Sequence, residues 1–133
     1  MTLVLDVGKT HAKLLLIDDT GEVVSRQTHV NQPVQTENYT ALGTASLASW
    51  LASAIVALPD RQQIRDLSIT THGAAFCLMD EQGLISPPMD YEWDGYGPMR
   101  ETWQQQASFF EETGLPALPL GLNAGLQLAW FKH

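Results

Sequence analysis

Three groups of residues in this 133-residue chain could do chemistry. The first is Asp6 with the turn Gly8-Lys9-Thr10 and Lys13 behind it. An acid closing a short apolar strand, beside a turn rich in Gly, Thr and Lys, suits a nucleotide's phosphates and their magnesium. Gly8 lets the backbone approach closely, Lys9 and Lys13 bring positive charge, and Thr10 offers a hydroxyl. The pattern is not Gly-x-x-x-x-Gly-Lys-Ser/Thr running into a helix. Gly8 stands alone and a strand follows, so an ordinary β-hairpin fits the same residues.

The second group is His72-Gly73, directly after the β-branched run Leu67–Thr71. Ligands of open α/β sheets collect at the carboxyl ends of strands. There an imidazole can exchange a hydrogen bond with a sugar hydroxyl, or simply satisfy a neighbouring backbone group. The third is the loop Asp90-Tyr91-Glu92-Trp93-Asp94. Carboxylates bind hydroxyls and ring faces pack against C–H surfaces, which suits a sugar. A solvated acidic loop anchored by one buried aromatic is the alternative.

The elements that must hold these groups are legible from periodicity. A strand ending at Asp6, a second over Lys13–Ile17 and a third over Glu22–Val30 are separated by tight polar turns. Asn31–Tyr39 reads as a loop. Thr44–Leu58 reads as a helix with Leu47, Leu51, Ala54 and Leu58 on one face, Thr44 as its cap and Pro59 at its end. Leu67–Thr71 is expected to be a buried strand, followed by extended Ala74–Met79, the Asp80–Gly83 turn and Leu84–Ile85. A second helix should begin at Pro98 and stop near Gly114, with Met99, Trp103, Ala107 and Phe110 as its apolar stripe. Leu115–Leu122 reads as a loop and Asn123–His133 as a last amphipathic helix.

Composition narrows the class. With 44% hydrophobic residues and a net charge of −8, the chain has the makings of a globular core and an anionic surface. That charge argues against nucleic acid or an anionic membrane as partner. The single Cys77 excludes an internal disulfide and fits a reducing cytoplasm, with burial expected for its thiol. No signal peptide or run long enough to span a membrane is visible, so a cytoplasmic protein is expected.

Asp6-Val-Gly-Lys-Thr-x-x-Lys13, followed by the Asp18-x-x-Gly21 turn, resembles the opening of the FGGY family of carbohydrate kinases, in the actin-like ATPase superfamily. The usual form is Asp-x-Gly-Thr-Thr-x-x-Lys/Arg, from which Lys9 departs. The strand before His72-Gly73, a second strand ending Leu-Met-Asp80, its turn and the Trp93-Asp94 loop resemble the family's sugar-contacting section, in the same order. Details lie nearer rhamnulokinase or fuculokinase. Asp94-Gly95 departs from the commoner Trp-Asn-Asp-x-Arg, so no Arg follows to assist. Gly114-Leu-Pro and Leu128-Ala-Trp-Phe-Lys132 are similar to later family stretches.

The resemblance implies an α/β, ribonuclease-H-like (actin-like ATPase) mixed sheet with flanking helices, incomplete in 133 residues. It implies ATP and Mg2+ as cofactors and phosphorylation of a sugar or polyol hydroxyl. Asp6 would serve magnesium through water. Gly8, Lys9, Thr10 and His11 would border the β- and γ-phosphates, with Lys13 nearby. Thr71, His72, Gly73, Trp93 and Asp94 would contact the sugar. The family's catalytic Asp and adenosine pocket match nothing here, which makes the chain the amino-terminal portion of a longer enzyme, inactive alone. Other expectations left open are a non-catalytic sugar-binding or regulatory module, and a subunit that completes its core as a homo-oligomer.

Overall fold

A computed structural model describes residues 1–106, 110–114 and 116–132. They form two compact units, Met1–Gln32 with Leu42–Gly73, and Pro33–Ala41 with Ala74–His133.

The first unit is built on a four-stranded sheet in the order β3-β2-β1-β6, from β1 (Thr2–Val7), β2 (His11–Ile17), β3 (Val23–Val30) and β6 (Asp66–Thr71). β1 to β3 are antiparallel neighbours, and β6 returns parallel to β1 after a helical crossover. The expected order of three antiparallel strands, a helix and a parallel fourth is borne out. Alternation places Leu3 and Leu5, and Leu14 and Leu16, on one face. All four are buried together with Ala54 and Leu58, the last two residues of the stripe that α1 (Thr44–Val56) and its exit turn present. Each such Leu contributes about 1.5–3 kcal/mol relative to exposure.

Two details of α1 differ from expectation. Gly43, not Thr44, occupies the cap position, and no side chain caps the helix. The helix also ends two residues short of Leu58, where the chain turns toward Pro59.

β6 requires a larger correction. Register sets Leu67 beside Leu3 and Ile69 beside Leu5, so the apolar rows Leu16–Leu3–Leu67 and Leu14–Leu5–Ile69 run across three strands. α1 packs over β2 and β3 and leaves the far end of those rows uncovered. Leu67 is 62% exposed and Ile69 61%, on a sheet edge. Composition suited a buried strand, but position in the sheet made it an open one.

The second unit carries two hairpin-like sheets, β4 (Pro33–Gln35) with β5 (Thr40–Leu42) and β7 (Leu78–Asp80) with β8 (Gly83–Ser86). β4 lies within the segment expected to be a loop, and β5 directly follows it. Its core joins Tyr39, Ala41, Met89, Tyr96 and Leu126, and the last belongs to α4 (Ala124–Lys132). Of the expected helix from Pro98 toward Gly114, the described residues hold α2 (Pro98–Gln106) and α3 (Phe110–Thr113). Phe110 is 61% exposed, so it does not extend the Met99–Trp103 stripe, and Ala107 lies outside the described residues, as do Leu115 and His133. Gly114 ends α3 with φ +65° and donates its N–H to the Phe110 carbonyl at 2.8 Å. Cys77 is half-buried rather than enclosed. Among the described residues no helix is long and apolar enough to cross a membrane.

Candidate functional site

The first unit brings one polar group together at the carboxyl end of β1. Asp6 and Lys13 face each other across the β1–β2 ladder, and the Lys13 Nζ lies 3.4 Å from Asp6 Oδ2. Both side chains are about 40–45% exposed, so the pair orients the carboxylate more than it stabilises the fold. Strand alternation puts them on the face opposite Leu3 and Leu5. On the parallel neighbour β6 the register partner of Asp6 is Thr70, whereas Thr71 pairs with Val7 and shares the α1 side of the sheet. The residue in register with Asp6 on β6 is therefore Thr70.

The turn is held tightly. Gly8 N–H donates to the His11 carbonyl at 2.9 Å, and a Cβ on Gly8 would stand 3.0 Å from that same oxygen. A side chain at Gly8 would crowd the turn. His11 Nδ1 and Thr10 Oγ1 lie 3.1 Å apart, on the exposed side. Asn31, just past β3, clamps the turn from behind. Its Nδ2 donates to the Gly8 carbonyl at 2.8 Å and its backbone N–H to the Thr10 carbonyl at 2.9 Å. Asn31 Oδ1 is buried with no partner among the described residues. Sequence reasoning placed Asn31 in a loop and missed this role, because the contact spans 23 residues.

The neighbouring turn also explains its composition. Asp18 Oδ1 accepts from Thr20 N, Thr20 Oγ1 and Glu22 N at 2.9, 2.7 and 3.0 Å. These bonds, the Thr20 hydroxyl first and the Glu22 N–H next, lower the Asp18 pKa. Asp19 is lowered by the chain's amino terminus and by Arg65, whose Nη2 stands 2.6 Å from its Oδ1.

β6 ends in the second candidate group. The His72 N–H donates to the Val7 carbonyl at 3.1 Å, extending the β1–β6 ladder by one step. His72 Nδ1 lies 3.0 Å from the Gly73 carbonyl. Asp6, Gly8, Lys9, Thr10, His11 and Lys13 thus share the first unit with Thr71, His72 and Gly73.

Trp93 and Asp94 belong to the second unit. Trp93 stands edge-on to Tyr96 and to Trp130, both at 4.9 Å between centroids, and to Tyr39 at 6.4 Å. Such edge-to-face contacts add about 0.5–1.5 kcal/mol each beyond burial. Tyr39, Tyr96 and Trp130, with Met99, Trp103 and Phe131, also wall a cavity of about 990 Å³. Asp94 forms an ion pair with Arg100 Nη2, and the Arg100 guanidinium sits 5.5 Å from the Tyr96 ring centroid. Arg100 stands in the first turn of α2, six residues beyond Asp94, where a motif read residue by residue does not look. Burial pushes the Tyr96 phenol up to about 12, with Asp94 and Asp90 adding to the rise and Arg100 opposing it. Its hydroxyl donates to Met89 Sδ at 3.0 Å.

No protein-family profile matches the sequence, and no curated protein does. Solved structures do. A carbohydrate kinase from Novosphingobium aromaticivorans is 31% identical and superposes with a TM-score of 0.86 over 98% of this chain and 28% of that one. The chain has the carbohydrate-kinase fold. A ligand-bound xylulose kinase from Lactobacillus acidophilus shares it over 100% of this chain and 29% of its own, at 14% identity and a TM-score of 0.75. A glycerol kinase from Plasmodium falciparum, solved with ADP, shares it over 81% of this chain and 24% of its own, at 11% identity and a TM-score of 0.57. The expected resemblance to the FGGY kinases and the mixed α/β, actin-like sheet with flanking helices are borne out. The chain spans less than a third of the length of these kinases.

Proposed function

We propose that this chain supplies the phosphate-binding hairpin and part of the sugar pocket of an ATP- and magnesium-dependent carbohydrate kinase, as the amino-terminal portion of its first domain. One observation carries the proposal: on a kinase fold, Asp6 ends β1 in register with Lys13, beside a glycine turn that Asn31 braces.

The donor set suits a magnesium-bound polyphosphate. Mg2+ commonly keeps several waters and takes one or two carboxylates plus phosphate oxygens. Among the described residues no cluster of three or more His, Cys, Asp or Glu could hold a metal. Asp6 offers one carboxylate, which suits a cation that the phosphates also hold. Gly8 leaves room for the phosphates against the backbone. Lys9 and Lys13 offset negative charge, and Thr10 and His11 add hydrogen-bonding groups at the turn. ATP, when bound, supplies the phosphoryl group, and the protein's work in such a transfer is positioning and charge stabilisation. On the acceptor side, His72 and Asp94 offer hydrogen bonds to hydroxyls, Trp93 offers a ring to a C–H face, and Arg100 sets the Asp94 carboxylate. The base that takes the hydroxyl proton is expected outside these residues, so residues 1–133 alone should not turn over.

The test is sugar-dependent ATP consumption by the full-length gene product across a panel of aldoses, ketoses and polyols. Asp6→Asn should lower kcat/KM about 100-fold at an unchanged thermal midpoint, because an exposed carboxylate contributes little to folding. A variant as active as the wild type would refute the phosphate-site assignment. Phosphorylation by residues 1–133 alone would refute the division of labour.

A further inference from the structure

α4 carries a polar residue where its packing calls for an apolar one. Gln127 is 0% exposed, beside Leu126 in the same helix. Three hydrogen bonds hold its amide. Nε2 donates to the Ala74 carbonyl at 2.5 Å and to the Gly121 carbonyl at 2.6 Å, and Oε1 accepts from the Phe76 N–H at 3.1 Å. An apolar side chain of similar size would fill the space without the cost of burying an amide. The amide therefore serves the backbone it grips.

That backbone adjoins both sugar-contacting segments. Ala74 directly follows His72-Gly73 and has φ +66°, a left-handed conformation that an alanine adopts only when its surroundings impose it. Gln127 holds the peptide groups on either side of Ala75, the first of which is the peptide that Ala74's left-handed turn leads into, so the clamp anchors the exit of that turn. The Gly121 N–H in turn donates to the Tyr91 carbonyl at 2.8 Å, two residues before Trp93. The Trp93 N–H donates to the Asp90 carbonyl at 2.9 Å, and Asp90 Oδ1 accepts from the Glu92 N–H at 2.8 Å. The Phe76 carbonyl accepts from the Met89 N–H at 2.9 Å, which ties the same two stretches a second time.

We infer that Gln127 is a positioning residue for sugar binding: its buried amide sets the backbone that leaves His72-Gly73 and, through Gly121, the backbone that enters Trp93-Asp94. The inference rests on the kinase function proposed above and names a residue that touches neither sugar nor nucleotide.

The test uses the full-length enzyme with its best sugar. Gln127→Met keeps the volume and removes all three bonds. It should raise KM for the sugar about tenfold and leave KM for ATP within about twofold. Adding Ala74→Gly, which adopts a left-handed φ without support, should return the sugar KM most of the way. A role in packing alone predicts a lower melting temperature with both KM values unchanged, and no rescue by Ala74→Gly. That outcome would overturn the inference. Amide exchange on the wild-type protein keeps the question open to refutation if Gln127→Met fails to fold. The Phe76 N–H should exchange as slowly as the interior amides of α4, and exchange at the rate of an open loop would overturn the clamp. If the wild type consumes ATP with no sugar, the kinase function fails, while Phe76 exchange still decides whether the clamp exists.

Discussion

Gly121→Ala should be among the most damaging single-methyl additions to the second unit, and the reason can be isolated. A Cβ at this position would run into the Tyr96 hydroxyl and would stand 3.2 Å from the Tyr91 carbonyl oxygen and 3.3 Å from its Cα. An exposed tyrosine would swing away at little cost. Tyr96 is 2% exposed, and its ring is held at 4.9 Å by Trp93 and at 5.9 Å by Trp130, so it cannot yield without disturbing both. Overpacking a filled core costs about 1–3 kcal/mol. The two contacts with Tyr91 are only tighter than usual and account for about 1 kcal/mol of that range, leaving up to about 2 kcal/mol for the hydroxyl. Tyr96→Phe removes the hydroxyl and one hydrogen bond to sulfur, a loss of about 1 kcal/mol. The double variant should then be more stable than the sum of the single effects by up to about 2 kcal/mol. Urea unfolding of all four proteins, followed by tryptophan fluorescence, measures this coupling. Effects that add within about 0.5 kcal/mol would show that the hydroxyl is not the obstacle and would refute the packing argument.

Other predictions address the first unit and the pH response. Leu14→Ala, at a position with 0% exposure between sheet and helix, should cost about 3 kcal/mol in unfolding experiments. The Tyr96 pKa stands above its ordinary 10.0, so its stabilising contribution is whole below pH 10 and is lost as pH rises toward about 12. Stability measured across that window should fall more steeply in the wild type than in Tyr96→Phe. The uncovered ends of the apolar rows should make residues 1–133 self-associate, and Leu67→Lys with Ile69→Lys should lower the mass seen by light scattering.

Local chemistry in the chain was enough for the first unit's sheet and crossover. Period-two alternation in Leu3–Leu5 and Leu14–Leu16, polar turns at Gly8 and Asp18, and a period-3.6 stripe ending at Leu58 are each written within a few residues. They specify strands, turns and a helix wherever they occur, and the Asp6–Lys13 pairing follows from the length of the turn between them.

Tertiary structure decided what lies beyond that range. Nothing in Leu67–Thr71 says whether a strand lies inside a sheet or at its edge, since burial there depends on which strands α1 covers. Asn31 behind Gly8, Arg100 on Asp94 and Gln127 on Ala74 are partners set by how the backbone returns through space. Hydrophobic periodicity is a property of neighbours along the chain, so sequence carries it openly. A polar side chain's partner is whichever group the finished packing leaves within about 3 Å, and no local pattern encodes that.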